Sequence, residues 1–281
     1  MRFYEINGDI KQSKIKKILI FIQIFLDIIK ENKTKYDYRP KVHKEMILSL
    51  VGDKLYSPGR LGSLNYLVNF LNNNFKNNNL KVIDLGCGDG RYYKWIKRIN
   101  DNKDFDYLGI DRKENTLWNK SEAKVRFLVK DIKSIEDLDL PIQPNLIFSQ
   151  SVLEHAKNDK LLLSLISKKY PTVKQLHILP GSISGINYLA HGYRRYNLNE
   201  LVQICKNLNL SYKIISFSGK RSLVDYFLWL KAENDISHSS KGHLFKNFFK
   251  SKEQYNPVVN LEHYCGILKN EYPVQYALEI N

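Results

Sequence analysis

Three glycines in five positions follow an apolar run in the stretch VIDLGCGDG, residues 82–90. The apolar run predicts a buried strand that ends at Leu85, and the segment after Gly90 has a helical pattern. Glycine lets the backbone bend sharply and leaves no Cβ between the chain and a molecule lying at the strand's carboxyl end. A chain with this turn is suited to hold a nucleoside.

The middle of the chain alternates short apolar runs with helical patterns, which is typical of a parallel sheet built from strand–helix–strand units. The runs that predict strands lie at 81–86, 105–111, 125–131, 145–150 and 174–181. Two more strands are predicted at 210–219 and 272–281. Helices are predicted at 92–99, 114–120 and 157–169, and another follows Tyr196 with Asn197 as its N-cap. The pattern predicts one α/β domain.

Carboxylates end two further predicted strands. Asp111 lies 21 residues beyond Gly90, where a carboxylate can accept hydrogen bonds from both hydroxyls of a ribose. Asp131 and Ile132 follow the next strand and suit the edge and face of an adenine. The alternative is a dinucleotide-binding oxidoreductase, but its GxGxxG spacing would need a third glycine at the position of Arg91.

These residues resemble the class I S-adenosylmethionine-dependent methyltransferases, in the branch that methylates small molecules and glycans. DLGCGDG at 84–90 matches that family's first motif position by position. The strand ends at Asp111 and Asp131 look like its second and third motifs. NLIFSQSVLEH at 145–155 is similar to its fourth-strand motif, and the resemblance covers about residues 80–217.

The resemblance implies an α/β, Rossmann-like fold with a seven-stranded sheet in the order 3-2-1-4-5-7-6, the last strand antiparallel, and helices on both faces. It also implies S-adenosylmethionine as cofactor and S-adenosylhomocysteine as product. The expected cofactor-binding residues are Asp84, Gly86, Cys87, Gly88, Gly90, Asp111, Arg112, Asp131, Ile132, Gln150 and Ser151. By family analogy Asp84 fixes the amino group and Asp111 the ribose. For Cys87 the alternative is a small packing residue.

Methylation of a hydroxyl group also needs a base. His155, just beyond the fourth strand, is one catalytic candidate, and a scaffold role is its alternative. His191, after the fifth strand, is the other. The residues expected to bind the acceptor are Tyr193, Arg194, Arg195 and Tyr196, which combine aromatic faces with guanidinium groups suited to a sugar or phosphate. An ordinary solvated basic turn is the alternative there, and His177, inside a strand, is expected to be a packing residue.

The net charge and the absence of two motifs limit the class of molecule that can accept the methyl group. The 44 Lys and Arg exceed the 29 Asp and Glu, a net charge of +15 that favours an anionic partner, although simple surface solvation also explains it. The fourth strand lacks the Pro-Pro motif of exocyclic-amine methyltransferases, and the chain has no Pro-Cys pair for cytosine-5 chemistry. We therefore predict O-methylation of a sugar, phosphoglycan or other anionic small molecule. An RNA methyltransferase and a non-catalytic cofactor-binding protein are the alternatives.

The outer segments complete the predicted organisation. Residues 1–60 are expected to form an N-terminal helical cap, and 61–281 the methyltransferase domain with an inserted lid or interface at 220–270. The apolar run 18–29 is too short to span a bilayer, and its helix is expected to pack on the main domain, with a homodimer contact or peripheral lipid contact as alternatives. Three widely spaced cysteines predict a cytoplasmic protein without a metal site. A membrane-peripheral location is the alternative that the apolar helix leaves open.

Overall fold

The computed structural model describes residues 13–52, 54–75, 79–101, 105–118, 122–132, 140–186, 192–237 and 255–281. Seven strands form one sheet: β1 (Leu80–Leu85), β2 (Phe105–Asp111), β3 (Val125–Val129), β4 (Leu146–Gln150), β5 (Lys174–Pro180), β6 (Tyr212–Phe217) and β7 (Gln275–Ile280). Their order is β3-β2-β1-β4-β5-β7-β6. Among these strands, β7 pairs antiparallel with both β5 and β6, and the other pairs are parallel. The predicted sheet order and the antiparallel last strand are confirmed.

The described helices are α1 (Lys14–Ile29), α2 (Lys44–Val51), α3 (Pro58–Phe75), α4 (Arg91–Ile99), α5 (Asp159–Lys169), α6 (Leu198–Asn207), α7 (Lys220–Ser237) and α8 (Leu261–Cys265). The side chain of Asn197 accepts a hydrogen bond from the backbone N–H of Glu200, so this N-cap is confirmed. The helix predicted at 114–120 is wrong over 114–118, which form a turn. There Asn115 accepts from the backbone N–H of Leu117 at 3.0 Å, a local bond that competes with helix formation.

Helices cover both faces of the sheet. Neighbouring residues of β1 point to opposite layers, because side chains alternate along a strand. Val82 joins a core that contains residues of α2, α3, α4 and α8. Ile83 joins a second core that contains residues of α5 and α6. The buried strands are therefore apolar on both sides, which is why they appear as continuous apolar runs in the sequence.

The connection from β6 to β7 carries α7 and α8. This connection corresponds to most of the predicted insertion at 220–270. Residues 238–254 of it lie outside the described part of the chain. Helix α3 packs against both α7 and α8, so the chain before the sheet meets the chain inserted late in it.

Helix α1 buries only part of its apolar face. Asp27 is buried, with 4% of its surface exposed, and accepts a hydrogen bond from Gln23 at 2.6 Å. Large apolar side chains on the other side of the helix, including Ile18 and Phe25, are exposed instead. The expectation that the wide apolar face packs on the main domain holds for Ile24, which lies against Gly185, and is wrong for Ile18 and Phe25. Within the described residues, no helix is both long and apolar enough to cross a membrane.

Candidate functional site

The glycine turn connects β1 to α4 at the carboxyl end of the sheet. Gly86 and Gly88 have φ of +67° and +55°, a region that side chains rarely adopt. A Cβ at Gly86 would lie 2.5 Å from Val152, so that glycine is required by packing. A Cβ at Gly88 would meet nothing within 4 Å, so Gly88 presents bare backbone to open space. A ligand can approach the main chain at this point.

Asp111, at the end of β2, lies directly against this turn. Its Oδ2 accepts a hydrogen bond from the backbone N–H of Gly88 at 2.9 Å. Its Oδ1 accepts one from the backbone N–H of Lys113 at 3.3 Å. A carboxylate offers about four lone-pair directions, so two of them remain for ligand hydroxyl groups.

Trp118 closes the turn from the far side, and sequence reasoning missed it. Its indole N–H donates to the carbonyl oxygen of Gly88 at 2.8 Å. Its ring stacks on Phe127 of β3, with the ring centres 4.9 Å apart. The contact joins residues 30 positions apart, and no local pattern in the sequence indicates it.

Asp84 lies beneath the turn and is almost completely buried, with 1% of its surface exposed. Its Oδ2 accepts a hydrogen bond from the hydroxyl group of Tyr107 at 2.5 Å. Burial raises the pKa of Asp84 to about 7; the bond from Tyr107 opposes this rise, and the negative charges of Asp111 and Asp89 add to it. The carboxyl group therefore needs a nearby cation to stay fully ionised at neutral pH.

The remaining residues expected around the nucleoside occupy different environments. Cys87 is buried and its Sγ lies beside Gly109 of β2, so its side chain fills space within the protein. Arg112 and Asp131 are exposed, and Ile132 is half-buried against the core that contains α5. Gly90 is the residue before α4 and has φ of +74°. The structure brings the ends of β1, β2 and β3 to one edge of the sheet.

The end of β4 carries the two residues expected next to the methyl donor. Ser151 has φ of +54°, an uncommon conformation for a residue with a side chain. Its hydroxyl group accepts a hydrogen bond from the side-chain amide of Gln150 at 3.2 Å. The Oε1 atom of Gln150 is buried and has no hydrogen-bond partner among the described residues. Strain and an unsatisfied acceptor at one strand end are typical of a ligand site.

A cavity of about 220 Å³ opens beside Gln150 and Ser151. The residues that line it are Ser57, Gly59, Arg60, Gln150, Ser151, Glu154, Pro180, Ser184, Arg195, Ser222, Tyr226, Val274 and Gln275. They come from the start of α3, from α7 and from the ends of β4, β5 and β7 that lie at the carboxyl edge. Five hydroxyl groups, two guanidinium groups and one carboxylate make this lining polar with a net positive charge.

Arg60 and Glu154 belong to this cavity and were not predicted as site residues. Arg60 lies near the start of α3, and its positive charge also reaches Tyr92 of α4: burial raises the pKa of Tyr92 to about 12, and Arg60 opposes this rise. Glu154 has 1% of its side chain exposed and lies within the quoted motif SVLEH. Its burial, which no sequence pattern reports, distinguishes it from an ordinary surface acid.

The residues of the basic segment 193–196, after β5, make two different kinds of contact. Arg195 has 5% of its surface exposed and lines the cavity. Arg194 instead binds Asp159 at 2.8 Å, and the hydroxyl group of Tyr196 donates to the same carboxylate at 2.9 Å. The backbone N–H of Tyr193 donates to the carbonyl of Glu154 at 2.7 Å. Arg194 and Tyr196 thus fasten the segment to α5, and the prediction that they contact the acceptor is not supported by this geometry.

The three histidines singled out in the sequence have different positions. The Nε2 atom of His155 lies 3.9 Å from Glu154 Oε1, but His155 is not among the described residues that line the cavity. His177 is fully buried between Ser149 and Gln175, and this burial lowers its pKa to about 4. The packing role predicted for His177 is confirmed. His191 lies outside the described residues.

The turn, its carboxylates and the end of β4 fit the methyl donor implied by the sequence. Bare backbone at Gly88 leaves room for a flat or sugar-like group, and Asp111 keeps acceptor positions for ribose hydroxyls. The buried carboxyl group of Asp84 suits a cationic amino group. The donor would present its methyl group near Gln150 and Ser151, at the mouth of the polar cavity.

Comparisons with known proteins agree with this geometry. A family model described as a methyltransferase domain matches residues 76–216. Comparison with curated protein sequences gave no significant match. Among solved structures, the plantazolicin methyltransferase BamL, bound to SAH and a triazolic desmethylPZN analog, is 15% identical with a TM-score of 0.52, covering 94% of this chain and 96% of its own. The plantazolicin methyltransferase BpumL, bound to SAH, is 15% identical with a TM-score of 0.50, covering 94% and 99%. At such identity these structures support the fold.

Proposed function

The chain belongs to the class I S-adenosylmethionine-dependent methyltransferases, and we propose that it methylates a hydroxyl group of a sugar, phosphoglycan or other anionic small molecule. The observation that carries the proposal is the polar cavity beside Gln150 and Ser151, whose lining includes Arg60 and Arg195. Guanidinium groups bind phosphate and carboxylate groups with paired hydrogen bonds. The five hydroxyl groups of the lining suit a hydroxylated acceptor.

The size of the cavity also supports a small acceptor. A volume of about 220 Å³ lies below the range of roughly 300–1,000 Å³ that is typical of drug-sized ligands. A monosaccharide or the terminal residue of a glycan fits such a space better than a folded nucleic acid. RNA methylation is therefore the alternative that the experiment must distinguish from this proposal.

We propose Glu154 as the group that accepts the hydroxyl proton. S-adenosylmethionine would supply the methyl group from its sulfonium, and S-adenosylhomocysteine would leave as a neutral thioether. Because this is a good leaving group, alignment of the acceptor oxygen provides much of the acceleration. As the new O–CH₃ bond forms, the acceptor's proton must leave, and a carboxylate that faces the acceptor can take it. Glu154 lines the cavity, whereas His155 is not among the described residues that line it. Arg195 would hold the acceptor's anionic group during this step.

The experiment incubates the full chain with methyl-labelled S-adenosylmethionine and an extract of the source cells, with and without nuclease. We expect label that survives nuclease, travels with carbohydrate or small-molecule fractions and binds an anion exchanger. Label removed by nuclease would contradict the proposal in favour of RNA. Intact cofactor binding without any label would contradict it in favour of a non-catalytic role.

Matched variants then test the assigned residues with the purified acceptor. Arg195→Gln should raise the acceptor's KM more than about tenfold, since it removes a charge-assisted hydrogen bond. Arg39→Gln is the control, because Arg39 is an exposed arginine that pairs with Asp37 and does not line the cavity, and its KM should stay unchanged. Glu154→Gln should lower kcat by about 10²-fold or more, and His155→Gln far less. The reverse ranking would make His155 the base.

A further inference from the structure

Helix α1 exposes a continuous apolar face to solvent. The side chains that form this outer face are Ile15, Ile18, Ile22, Phe25, Leu26 and Ile29, which are 38–72% exposed. Their spacing of three and four residues places them along one side of the helix. Single exposed apolar residues are ordinary, but a contiguous apolar patch marks an interaction surface.

The inner side of α1 is occupied by contacts within the protein. Gln23 and Asp27 form a hydrogen bond there, and Ile24 packs so tightly on Gly185 that a Cβ at that glycine would lie 2.6 Å away. Just after the helix, Glu31 is 5% exposed and accepts a hydrogen bond from Tyr276 at 2.8 Å. These contacts fix the orientation of α1, so the outer face cannot turn inward.

The charges near the outer face indicate what kind of partner it binds. Both acids of segment 13–35, Asp27 and Glu31, are buried. The exposed charged side chains of this segment that the structure describes are all basic: Lys16, Lys30, Lys33 and Lys35. Two copies of this face would bring lysines together without an exposed acid on the segment to pair them, which disfavours self-association. A surface that is both apolar and anionic complements the outer face and the exposed lysines of segment 13–35.

We propose that α1 lies in the plane of an anionic lipid membrane, with its outer face in the acyl boundary and its lysines among the headgroup phosphates. The helix of 16 residues is shorter than the about 20 residues needed to span a bilayer. The inner contacts keep the folded domain on the water side of the helix. Since α1 packs on the turn 182–186 and Ser184 lines the acceptor cavity, docking holds that cavity next to the membrane. The proposal does not depend on the identity of the acceptor.

The test is co-sedimentation of the purified full chain with phosphatidylcholine vesicles and with the same vesicles containing phosphatidylglycerol. We expect binding to the anionic vesicles that weakens with added salt. Phe25→Glu should weaken this binding at least about tenfold, because a buried aromatic side chain is lost from the contact. Lys16→Glu combined with Lys30→Glu should weaken it about fivefold per lysine, on anionic vesicles alone.

Leu161→Glu is the matched control, because Leu161 is an exposed leucine on α5, away from α1, and is 51% exposed. It should bind vesicles like the wild type. All variants must retain the cofactor-induced rise in Tm, which shows that they are folded. Wild-type affinity of Phe25→Glu for anionic vesicles would overturn the proposal. A wild-type dimer that Phe25→Glu dissociates, without vesicle binding, would overturn it and assign the face to a second copy.

Discussion

At the scale of single residues, Asp84 should make the affinity for the cofactor depend on pH. Burial raises its pKa to about 7, and a bound cationic amino group would favour its ionised form. We therefore predict that affinity for S-adenosylmethionine falls about tenfold as pH decreases from about 8 to about 6, because the carboxyl group must then lose a proton on binding. Isothermal titration calorimetry at a series of pH values measures this dependence. Asp84→Asn should weaken binding at the higher pH and remove the dependence.

Asp89→Asn provides the control for this pH effect. Burial acts to raise the pKa of Asp89, but its hydrogen bonds and ion pair with Arg91 hold that pKa below the ordinary value, so it stays ionised throughout the range. Its replacement should preserve the pH dependence and move its midpoint only slightly lower, because the charge of Asp89 is a minor cause of the raised pKa of Asp84. A dependence that survives in Asp84→Asn would contradict the assignment. The raised pKa of Asp84 also makes the free energy of unfolding of the ligand-free protein decrease as pH rises from about 4 to about 7.

At the scale of elements, the contact between α3 and α8 depends on Gly62. A Cβ at this position would lie 2.2 Å from the carbonyl oxygen of Tyr264 and 2.8 Å from the hydroxyl group of Ser218. Backbone cannot yield as a flexible side chain does, so Gly62→Ala should lower the free energy of unfolding by about 2 kcal/mol despite alanine's higher helix propensity. Urea denaturation measures the change.

Asn72→Ala is the matched control on the same helix. Asn72 is exposed near the end of α3, and its replacement should change the free energy of unfolding by less than about 0.5 kcal/mol. Equal stability of Gly62→Ala and the wild type would mean that α3 and α8 are less closely packed than described. A stabilised Gly62→Ala variant would mean that helix propensity outweighs the contact.

At the scale of the whole molecule, the cofactor should stabilise the fold, because it binds the folded chain and not the unfolded chain. At a free concentration of 100 Kd, S-adenosylmethionine should add about 2.7 kcal/mol to the free energy of unfolding. Asp111→Asn keeps an oxygen for the Gly88 N–H but loses acceptor capacity for ribose hydroxyls. At the same cofactor concentration, a tenfold loss of affinity should reduce the increment to about 1.4 kcal/mol. Chemical denaturation with and without cofactor measures it.

The control for this comparison is Asp106→Asn. Asp106 lies on the same strand but pairs with Arg126, away from the glycine turn. This variant should retain the full increment from the cofactor, even if its own stability decreases. A full increment in Asp111→Asn would refute the assignment of that carboxylate to the ribose.

The sequence by itself determined the features that depend on neighbouring residues. Alternating apolar runs and helical patterns predicted all seven strands, because strand burial produces local apolar runs. The sheet order was implied by the resemblance of local motifs to a known family. The turn 86–90 and Asp111 were predicted in the same way. Asn115 shows the limit of this reasoning, since one side-chain hydrogen bond replaced a predicted helix with a turn.

The tertiary structure alone decided which distant residues share the site and which way each helix faces. Arg60, Trp118 and Arg195 reach it from separate parts of the chain. The periodicity of α1 defined two faces but not the buried one, because a polar stripe can dock when a hydrogen bond satisfies it, as Gln23 and Asp27 show. Burial and hydrogen-bond partners depend on the packing of the whole chain, so no local pattern contains them.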